Sequence, residues 1–496
     1  MATVATFVQL DHSVTEFLKK PRKMLVDGRW VDAVSGKTFE TYNPATGEVL
    51  ARVAAGDHED IDLAVKAARK AFEHGPWPEM APAERARLLW KLADLMEQHA
   101  EELAQLETLD NGKPLFFSRI VDVPSAVANV RYISGWATKV EGSTVPLSHS
   151  GFFAYTVREP VGVVGQIIPW NFPLVMAAMK LGPALAVGCT CVLKPAEQTP
   201  LTALRLGELI MEAGFPEGVV NIVPGFGEIA GAALASHPDV DKVAFTGSTE
   251  VGRLIVNAAA GNLKKVSLEL GGKSPNIIFP DADLETAIPG SANAIFFNQG
   301  QVCCAGSRLF VHKNLFDKVV DGIAEQAKKF RIGAGMDLSN NMGPLVSGEQ
   351  LERVCGYLEH GAREGAKAVV GGRKLDSPGY FVEPTVLVDV KPQMKVVREE
   401  IFGPVVAAIP FSDPNDVLNF ANDTTYGLAS AIWTRDISKA HRLAAKLRAG
   451  TVWINCYNVI DPALPFGGYK QSGWGRENGR DVLDLYTQTK SVCVQL

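Results

Sequence analysis

The stretch VGVVGQIIPWNFP, residues 161–173, joins a short apolar, β-prone run to a polar turn that contains two prolines. Similar runs follow it, namely CTCVL, VVNIV, KVAFT and VSLEL, and they alternate with segments of helical character that start near Phe172, Pro200, Glu228 and Thr249. Strands that alternate with helices in this way predict a parallel sheet with helices on both faces.

A second series of apolar runs predicts a second sheet. It begins with PNIIF (275–279) and SRLFVH (307–312) and continues through VVAAIPF, LASAIWT and TVWIN, again with helical segments between the runs. The predicted fold class is therefore α/β, with two such domains that meet close to Gly271 and Gly272. A chain of 496 residues is also too long for one small core.

The rest of the chain is expected to differ from these two series. The first 140 residues are expected to be mostly helical, with one helix starting at Ala81-Pro82. Residues 143–159 and 487–496 are β-prone and belong to neither series, so each would form a strand edge that needs a partner. We expect these segments to pair between subunits.

The composition excludes several classes of protein. Apolar residues make up 47% and charged residues 21% of the chain, which is typical of a globular protein. The formal net charge of -6 gives no basis for nucleic-acid binding. The first residues lack the basic start and apolar core of a secretory signal, and the longest apolar run, 181–193, is too short to span a bilayer. Seven scattered cysteines favour a reducing compartment, so we expect a cytoplasmic protein without disulfides.

The histidines and cysteines do not predict a metal site. The nine histidines are scattered, and Cys189-x-Cys191 has no second pair of ligands. Both of these cysteines lie in an apolar run, where they are expected to act as small core residues.

Polar residues follow the predicted strands at their carboxyl ends, where open α/β sheets bind ligands. Gly247-Ser248 lies at a strand-to-helix turn that suits a pyrophosphate, although Ser248 could equally be an ordinary helix cap. Gly225-x-Gly227 and Gly231 have a spacing that departs from the dinucleotide fingerprint. We therefore expect these glycines to allow close packing.

The pair Lys194 and Glu197 follows the run CTCVL. The carboxylate could accept both hydroxyls of an adenosine ribose, which would favour NAD over NADP, or the two side chains could form a surface ion pair of little energetic value.

Two further polar residues at strand ends have competing interpretations. Asn171 could cap the helix that begins near Pro173, or its amide could donate to an oxyanion. Glu269 lies within the apolar run VSLEL, where burial would raise its pKa as a general base near neutrality requires. A buried structural ion pair is the alternative for Glu269.

Two adjacent thiols lie in the stretch FFNQGQVCCAGSR, residues 296–308. A disulfide between neighbouring cysteines is strained. An unperturbed thiol, with a pKa of ~8.5, needs a nearby base or helix N-terminus to act as a nucleophile at neutral pH. Gly300 and Gly306 leave the backbone around Cys303 uncrowded, so Cys303 is the better candidate for a nucleophile and Cys304 for a buried packing residue.

Seven motifs, taken in order, resemble those of the NAD(P)-dependent aldehyde dehydrogenase superfamily. They are PWNFP (169–173), KPAEQTP (194–200), FTGSTEVG (245–252), LELGGKSP (268–275), FFNQGQVCCAGSR (296–308), EEIFGPV (399–405) and PFGGYKQSGWGRE (465–477). The resemblance covers nearly the whole chain and is greatest to bacterial members of the phenylacetaldehyde dehydrogenase kind.

The resemblance implies a fold and a domain arrangement. Residues 1–142 and 160–271 would form a Rossmann-like NAD-binding domain, and residues 272–474 an α/β catalytic domain. Residues 143–159 and 475–496 would form a small β extension for oligomerisation, in a homotetramer by preference or a dimer.

The resemblance also implies roles for individual residues. Cys303 corresponds to the nucleophile, Glu269 to the general base and Asn171 to the oxyanion donor, while Lys180 and Glu477 match a proton path that some members use. The residues implied to bind NAD are Ile167, Ile168, Pro169, Trp170, Lys194, Ala196, Glu197, Gly227, Gly247, Ser248, Val251, Leu270, Glu400 and Phe402. Those implied to line the substrate tunnel are Phe172, Met176, Met179, Phe297, Val302, Ile460 and Phe466.

The implied reaction is oxidation of an aldehyde to its carboxylic acid through a thiohemiacetal and a thioester on Cys303. The aromatic rings of the tunnel favour an aromatic aldehyde such as phenylacetaldehyde, with a medium-chain aliphatic aldehyde as the alternative. Two other functions are considered. A CoA-acylating enzyme usually lacks the base that Glu269 supplies, and a cysteine hydrolase would need a basic partner for Cys303. A non-catalytic structural protein of the same fold is a further alternative, against which Cys303, Glu269 and Asn171 argue.

Overall fold

Two large sheets contain most of the strands of this protein, whose computed structural model describes residues 7–496. The strands are β1 (Met24–Val26), β2 (Arg29–Val31), β3 (Thr38–Tyr42), β4 (Val49–Ala54), β5 (Phe152–Pro160), β6 (Val163–Ile167), β7 (Thr190–Lys194), β8 (Val220–Ile222), β9 (Lys242–Thr246), β10 (Lys265–Glu269), β11 (Pro275–Ile278), β12 (Arg308–His312), β13 (Lys367–Val370), β14 (Thr385–Val388), β15 (Val405–Phe411), β16 (Ala429–Trp433), β17 (Thr451–Ile454), β18 (Gly473–Trp474) and β19 (Thr487–Gln495).

Helices cover these sheets and fill the first part of the chain. They are α1 (His12–Lys19), α2 (His58–Glu73), α3 (Pro76–Glu79), α4 (Pro82–Gln98), α5 (Ala100–Asn111), α6 (Leu115–Phe117), α7 (Val123–Ser134), α8 (Pro173–Val187), α9 (Leu201–Ala213), α10 (Ala232–Ser236), α11 (Thr249–Ala259), α12 (Leu284–Phe296), α13 (Phe316–Lys328), α14 (Gly348–Glu364), α15 (Lys395–Arg398), α16 (Pro414–Asn422), α17 (Ile437–Ala444) and α18 (Asp481–Tyr486). Wider π-helical turns lie at Ser118–Asp122 and Gly227–Gly231, and a 3₁₀ turn lies at Phe297–Gly300. No helix among residues 7–496 is long and apolar enough to cross a membrane.

The first sheet contains eight strands in the order β18-β10-β9-β6-β7-β8-β1-β2. The five strands from β10 to β8 run parallel. Strands β6, β7 and β9 are buried along their whole length, which explains why each is a nearly continuous apolar run in the sequence. The predicted parallel sheet and the α/β fold class are confirmed.

The second sheet contains seven strands in the order β13-β14-β15-β12-β11-β16-β17. All of its neighbours are parallel except β13, which pairs antiparallel with β14 at the edge. Strands β11, β12, β15, β16 and β17 coincide with the five apolar runs predicted from the sequence. The sequence did not indicate β13 and β14, which are only four residues long.

The prediction that the first 140 residues are mostly helical is wrong for residues 24–54. Strands β1 and β2 form a hairpin that extends the first sheet, and β3 and β4 form a second antiparallel pair. The hairpin turn is Asp27-Gly28, with positive φ values of 49° and 71°. Such an Asp-Gly pair is a strong hairpin signal, but strands of three residues show no alternation by which to recognise them.

Strands β5 and β19 pair antiparallel with each other, from Phe152 opposite Gln495 to Pro160 opposite Thr487. The two β-prone segments therefore find a partner within the chain. Thr144 bridges to Tyr155 on the other side of β5, whereas β19 has no second partner strand among residues 7–496. Pairing between subunits stays a prediction, and it now concerns the outer edge of β19.

The predicted domain boundaries also stay predictions. Strand β18 lies within the range 272–474 assigned to the catalytic domain, yet it pairs with β10 in the first sheet. The chain thus returns to the first sheet shortly before the predicted boundary at residue 475.

Candidate active site

The carboxyl ends of β6, β7, β9 and β10 lie side by side, because these strands are parallel neighbours in one sheet. They end at Ile167, Lys194, Thr246 and Glu269 respectively. The polar residues predicted from the sequence therefore gather along one edge of the sheet, as expected for an open α/β sheet.

Asn171 lies in the turn between β6 and α8 and is 2% exposed. Its Nδ2 donates to the carbonyl oxygen of Gln301 at 2.9 Å, so the side chain points towards the loop that carries Cys303. The cap residue of α8 is Phe172, and no side chain caps that position. The alternative role for Asn171 as a helix cap is therefore not what the structure shows.

The loop before Cys303 has an unusual backbone. After α12, Asn298, Gln299 and Gly300 have consecutive left-handed φ values of 46°, 57° and 72°. A Cβ atom on Gly300 would lie 2.1 Å from the carbonyl oxygen of Gly403, so only glycine fits there. The Asn298 amide donates to the carbonyl oxygen of Asn171 at 3.0 Å. These contacts fix the loop against the turn that contains Asn171.

The two adjacent thiols differ in their surroundings. Cys303 is half-buried, whereas Cys304 is buried, and both are free. The carbonyl oxygen of Cys304 accepts a hydrogen bond from the Tyr457 hydroxyl at 2.7 Å. The contact with the Cys304 thiol, together with burial, raises the pKa of Cys303 well above its usual value. The Cys303 thiol therefore needs a base before it can react as a thiolate.

Glu269 is a buried carboxyl group at the end of β10, 7% exposed. Neither of its oxygens has a hydrogen-bond partner among residues 7–496. Burial, followed by the nearby Glu477 carboxylate, raises its pKa well above the usual value, while Lys180 opposes that shift. Its surroundings are those of a general base, and the described residues contain no ion pair to it.

Lys180 and Glu477 form a buried ion pair near Glu269, with side chains 1% and 5% exposed. Lys180 lies on α8, and Glu477 follows β18. The second carboxylate oxygen of Glu477 has no partner among the described residues. The two charges act on the pKa of Glu269 in opposite senses: Glu477 raises it and Lys180 lowers it.

A second group of polar residues lies along the same sheet edge. Lys194 Nζ donates to Glu197 Oε2 at 2.9 Å, with side chains 3% and 25% exposed. Ser248 caps α11 by accepting from the Val251 N–H at 3.2 Å. The predicted close packing is confirmed at Gly225, where a Cβ atom would lie 2.5 Å from the carbonyl oxygen of Gly56, but it is wrong for Gly227, where a Cβ atom would meet nothing within 4 Å.

The loop between α15 and β15 adds two more of the predicted residues. Glu400 Oε1 accepts from the Gly272 N–H at 2.9 Å, and burial raises the pKa of Glu400 to about 7. The Phe402 ring meets the Trp170 ring edge-on, with centroids 5.2 Å apart. The carbonyl oxygen of Phe402 accepts from Gln350 Nε2 at 2.7 Å.

Four of the predicted tunnel residues belong to the same apolar cluster as Cys303, namely Phe172, Phe297, Val302 and Phe466. The rings of Phe172 and Phe297 stack with centroids 6.0 Å apart.

The other three predicted tunnel residues are not members of this cluster. Met179 is buried, and half-buried Met176 packs against the core of the first sheet. Ile460 is 52% exposed. Its place as a tunnel wall stays a prediction.

Comparison with known proteins identifies the chain. A family model described as "Aldehyde dehydrogenase family" matches residues 30–492. The chain belongs to this family. It is 54% identical over 476 residues to the human mitochondrial aldehyde dehydrogenase, covering 96% of this chain and 92% of that protein.

Solved structures of aldehyde dehydrogenases have the same fold. The NAD+ complex of the enzyme from Bacillus cereus is 56% identical, with a TM-score of 0.98 over 99% of this chain and 100% of that chain. The P. syringae AldA indole-3-acetaldehyde dehydrogenase, in a mutant form bound to NAD+ and IAA, is 44% identical, with a TM-score of 0.94 over 96% of each chain. This chain is therefore an NAD-dependent aldehyde dehydrogenase.

The residues at the sheet edge fit NAD. The backbone is open at Gly227, and the N-terminus of the 11-residue helix α11 at Ser248 suits a pyrophosphate. The partly exposed Glu197 carboxylate can accept ribose hydroxyls, and its charge disfavours a 2′-phosphate.

Sequence reasoning missed three residues that hold this dehydrogenase site in place. Lys113 and Asn298 contact the backbone of Asn171, and Gln350 holds the Phe402 loop. For Asn298 the sequence offered an indication: asparagine tolerates a left-handed backbone conformation, and a Gln-Gly pair follows it. Lys113 and Gln350 contact residues that are far away in the sequence, so no local sequence pattern predicts their roles.

Proposed function

We propose that the preferred substrate of this aldehyde dehydrogenase is an aromatic aldehyde of the phenylacetaldehyde kind. The observation that carries the proposal is the stacked pair Phe172 and Phe297, which shares one apolar cluster with Cys303 and Phe466. A substrate ring in this tunnel can contact aromatic faces and edges, which adds to the gain from burying its area. The P. syringae relative, named for an aldehyde with an aromatic ring, supports the same proposal.

In the first step, Glu269 accepts the proton of the Cys303 thiol, through a water molecule. The thiolate then forms a C–S bond to the aldehyde carbon, and the carbonyl electrons move to the oxygen. The buried carboxylate suits this task because its raised pKa makes it a stronger base than an exposed one.

Asn171 Nδ2 and the backbone N–H of Cys303 stabilise the oxyanion of the resulting thiohemiacetal. In this structure Nδ2 donates to the Gln301 carbonyl oxygen, so substrate binding would exchange that acceptor for the oxyanion. NAD, when bound, accepts the hydride that leaves the substrate carbon. The acyl group then remains on Cys303 as a thioester.

After the proton taken from Cys303 has passed to solvent, Glu269 removes a proton from the water molecule that attacks this thioester. The C–S bond then breaks, the carboxylic acid leaves, and Glu269 returns its proton to the departing Cys303 thiolate. Each turnover thus passes one proton from Glu269 to solvent. The buried ion pair of Lys180 and Glu477, whose charges act on Glu269, supports their assignment as the proton path.

Assembly and location belong to the same proposal. The outer edge of β19 supports a homo-oligomer, a tetramer by preference and a dimer as the alternative. Seven free cysteines support a cytoplasmic location.

A panel of aldehydes tests the substrate assignment. kcat/KM is measured for phenylacetaldehyde, benzaldehyde, hexanal and octanal, each with NAD and with NADP. We expect phenylacetaldehyde with NAD to give the highest value, and Phe297→Leu to lower it for the two aromatic aldehydes more than for hexanal. A higher value for hexanal or octanal would replace the aromatic assignment with the medium-chain aliphatic one.

A further inference from the structure

A buried lysine that has no assigned role reaches the turn that carries Asn171. Lys113 lies between α5 and α6 and is 1% exposed. Its Nζ donates to the carbonyl oxygen of Asn171 at 3.1 Å. Burial of an ammonium group is costly unless it is paired and hydrogen-bonded, so the position of this side chain must be well determined.

Two buried carboxylates hold the Lys113 ammonium. Asp122 Oδ1 accepts from it at 2.6 Å, and Glu107 Oε1 lies 3.4 Å away. Asp122 ends the π-helical turn Ser118–Asp122, a kind of helical irregularity that occurs frequently at functional sites. Both carboxylates are completely buried. The three side chains therefore form a buried cluster, from which the ammonium also donates to the Asn171 turn.

The cluster also holds the other side of this turn. Glu107 Oε2 accepts from the backbone N–H of Leu174, in the first turn of α8, at 3.3 Å. The Lys113 ammonium lies 4.3 Å from the centre of the Phe172 ring, within the range of a cation–π contact. Asn171 and Phe172, an expected oxyanion donor and an expected tunnel wall, are thus both held by the same cation.

We propose that Lys113 is a positioning residue for the reaction. It holds the peptide between Asn171 and Phe172 so that the Asn171 amide faces the Cys303 loop, where the oxyanion forms. Fixing the carbonyl oxygen restricts the backbone of Asn171, and hence the position of the Cα–Cβ bond from which the amide extends to the Gln301 carbonyl oxygen. This inference rests on the proposed oxyanion role of Asn171, and it assigns no proton transfer to Lys113.

A purely structural role would also make Lys113 important, so the test must separate the two. A residue that acts through Asn171 loses its effect on the rate once the Asn171 amide is gone, whereas a structural residue keeps it. Removing Lys113 alone would leave both buried carboxylates without their cation, whereas with Asp122 neutralised as well only Glu107 stays ionisable, and burial raises the pKa of Glu107 to about 7. The informative variant is therefore Lys113→Met combined with Asp122→Asn, and Asp122→Asn alone is the matched control.

The experiment measures kcat, the single-turnover rate of NADH formation, KM for NAD and the unfolding midpoint. These are compared for the parent, the control and the double variant, each with and without Asn171→Ala. Asn171→Ala alone should lower the rate ~10²–10³-fold, the usual cost of one oxyanion donor. The double variant should lower it ~10–10²-fold, as small misplacements of catalytic groups do. KM for NAD should stay within about twofold of the control, because a change that acts only in the transition state leaves the binding of the cofactor in the ground state unchanged.

In the Asn171→Ala background, the double variant should change the rate by less than about threefold. An equal loss in both backgrounds, or no loss in the parent background, would overturn the positioning role. A parent enzyme that forms no NADH from any aldehyde would instead reject the proposed function, and Asn171→Ala with the parent rate would remove the oxyanion role and this inference together.

Discussion

Glu269→Gln should make the enzyme more stable and less active, and the two effects have the same origin. Neither oxygen of Glu269 has a hydrogen-bond partner among the described residues, and burial raises its pKa well above the usual value. The folded protein therefore keeps a proton on Glu269 at a pH at which the unfolded chain has already released it. Above the unfolded pKa of about 4.3, the free energy of unfolding falls as the pH rises, until the folded group has also ionised.

Glutamine removes this ionisation and keeps the shape of the side chain. The amide avoids the additional cost of a buried charge but not that of a buried polar group, so the free energy of unfolding should rise by roughly 1–3 kcal/mol at alkaline pH. Activity should fall ~10²–10⁴-fold, the usual contribution of a general base. Gains in stability at the expense of function are common where an active site stores an unfavourable group.

The assay compares thermal or urea midpoints of parent and Glu269→Gln at pH 5 and pH 9, together with the NADH burst and the steady-state rate. The two midpoints should lie closer together at pH 5, near the unfolded pKa, and the variant should be clearly the more stable protein at pH 9. The steady-state rate of the parent should rise with pH, because Glu269 and Cys303 both have raised pKa values. A variant that is less stable than the parent at pH 9, or as active, would refute this account of Glu269.

Two further predictions concern the cofactor and the tunnel. Glu197→Ser should raise kcat/KM for NADP relative to NAD, because the carboxylate that disfavours a 2′-phosphate is removed; an unchanged ratio in steady-state assays would contradict the role of Glu197. Met179→Trp tests the predicted place of buried Met179 in the tunnel: a larger ring there would narrow the tunnel, so the change should lower kcat/KM for phenylacetaldehyde about tenfold and for propanal by less than about threefold. Equal losses for both aldehydes would show that Met179 does not line it.

Much of the fold could be predicted because β6, β7 and β9 are fully buried, and complete burial forces a run of apolar residues. The three-residue strands β1 and β2 could not, since too few side chains alternate to show a pattern. The partnership of β5 with β19 joins residues more than 300 positions apart, and no local signal specifies such a pairing.

Some residues of the candidate site could be predicted from the sequence and others could not. Glu269 and Asn171 stood out because polar residues at the ends of apolar strands are conspicuous, and the structure places both at the same sheet edge. Lys113 did not stand out, since a lysine in a short connection is usually exposed, and its burial depends on Glu107 and Asp122. The resemblance assigned Ile460 to the tunnel by its position in the sequence. Its exposure of 52% depends on the path of its loop, which the sequence does not specify.

The most direct test of the central claim is to compare Cys303→Ala with Cys304→Ala, each incubated with NAD and phenylacetaldehyde. Acid quenching followed by peptide mass spectrometry locates the acyl group, and NADH absorbance gives the rate. Cys304→Ala should form NADH within about tenfold of the parent rate and carry the acyl group on Cys303, because a buried Cys to Ala change removes packing but no reacting group. Cys303→Ala should bind NAD and form neither NADH nor an acyl adduct. An acyl group on Cys304, or NADH formation by Cys303→Ala near the parent rate, would contradict the assignment of Cys303 as the nucleophile.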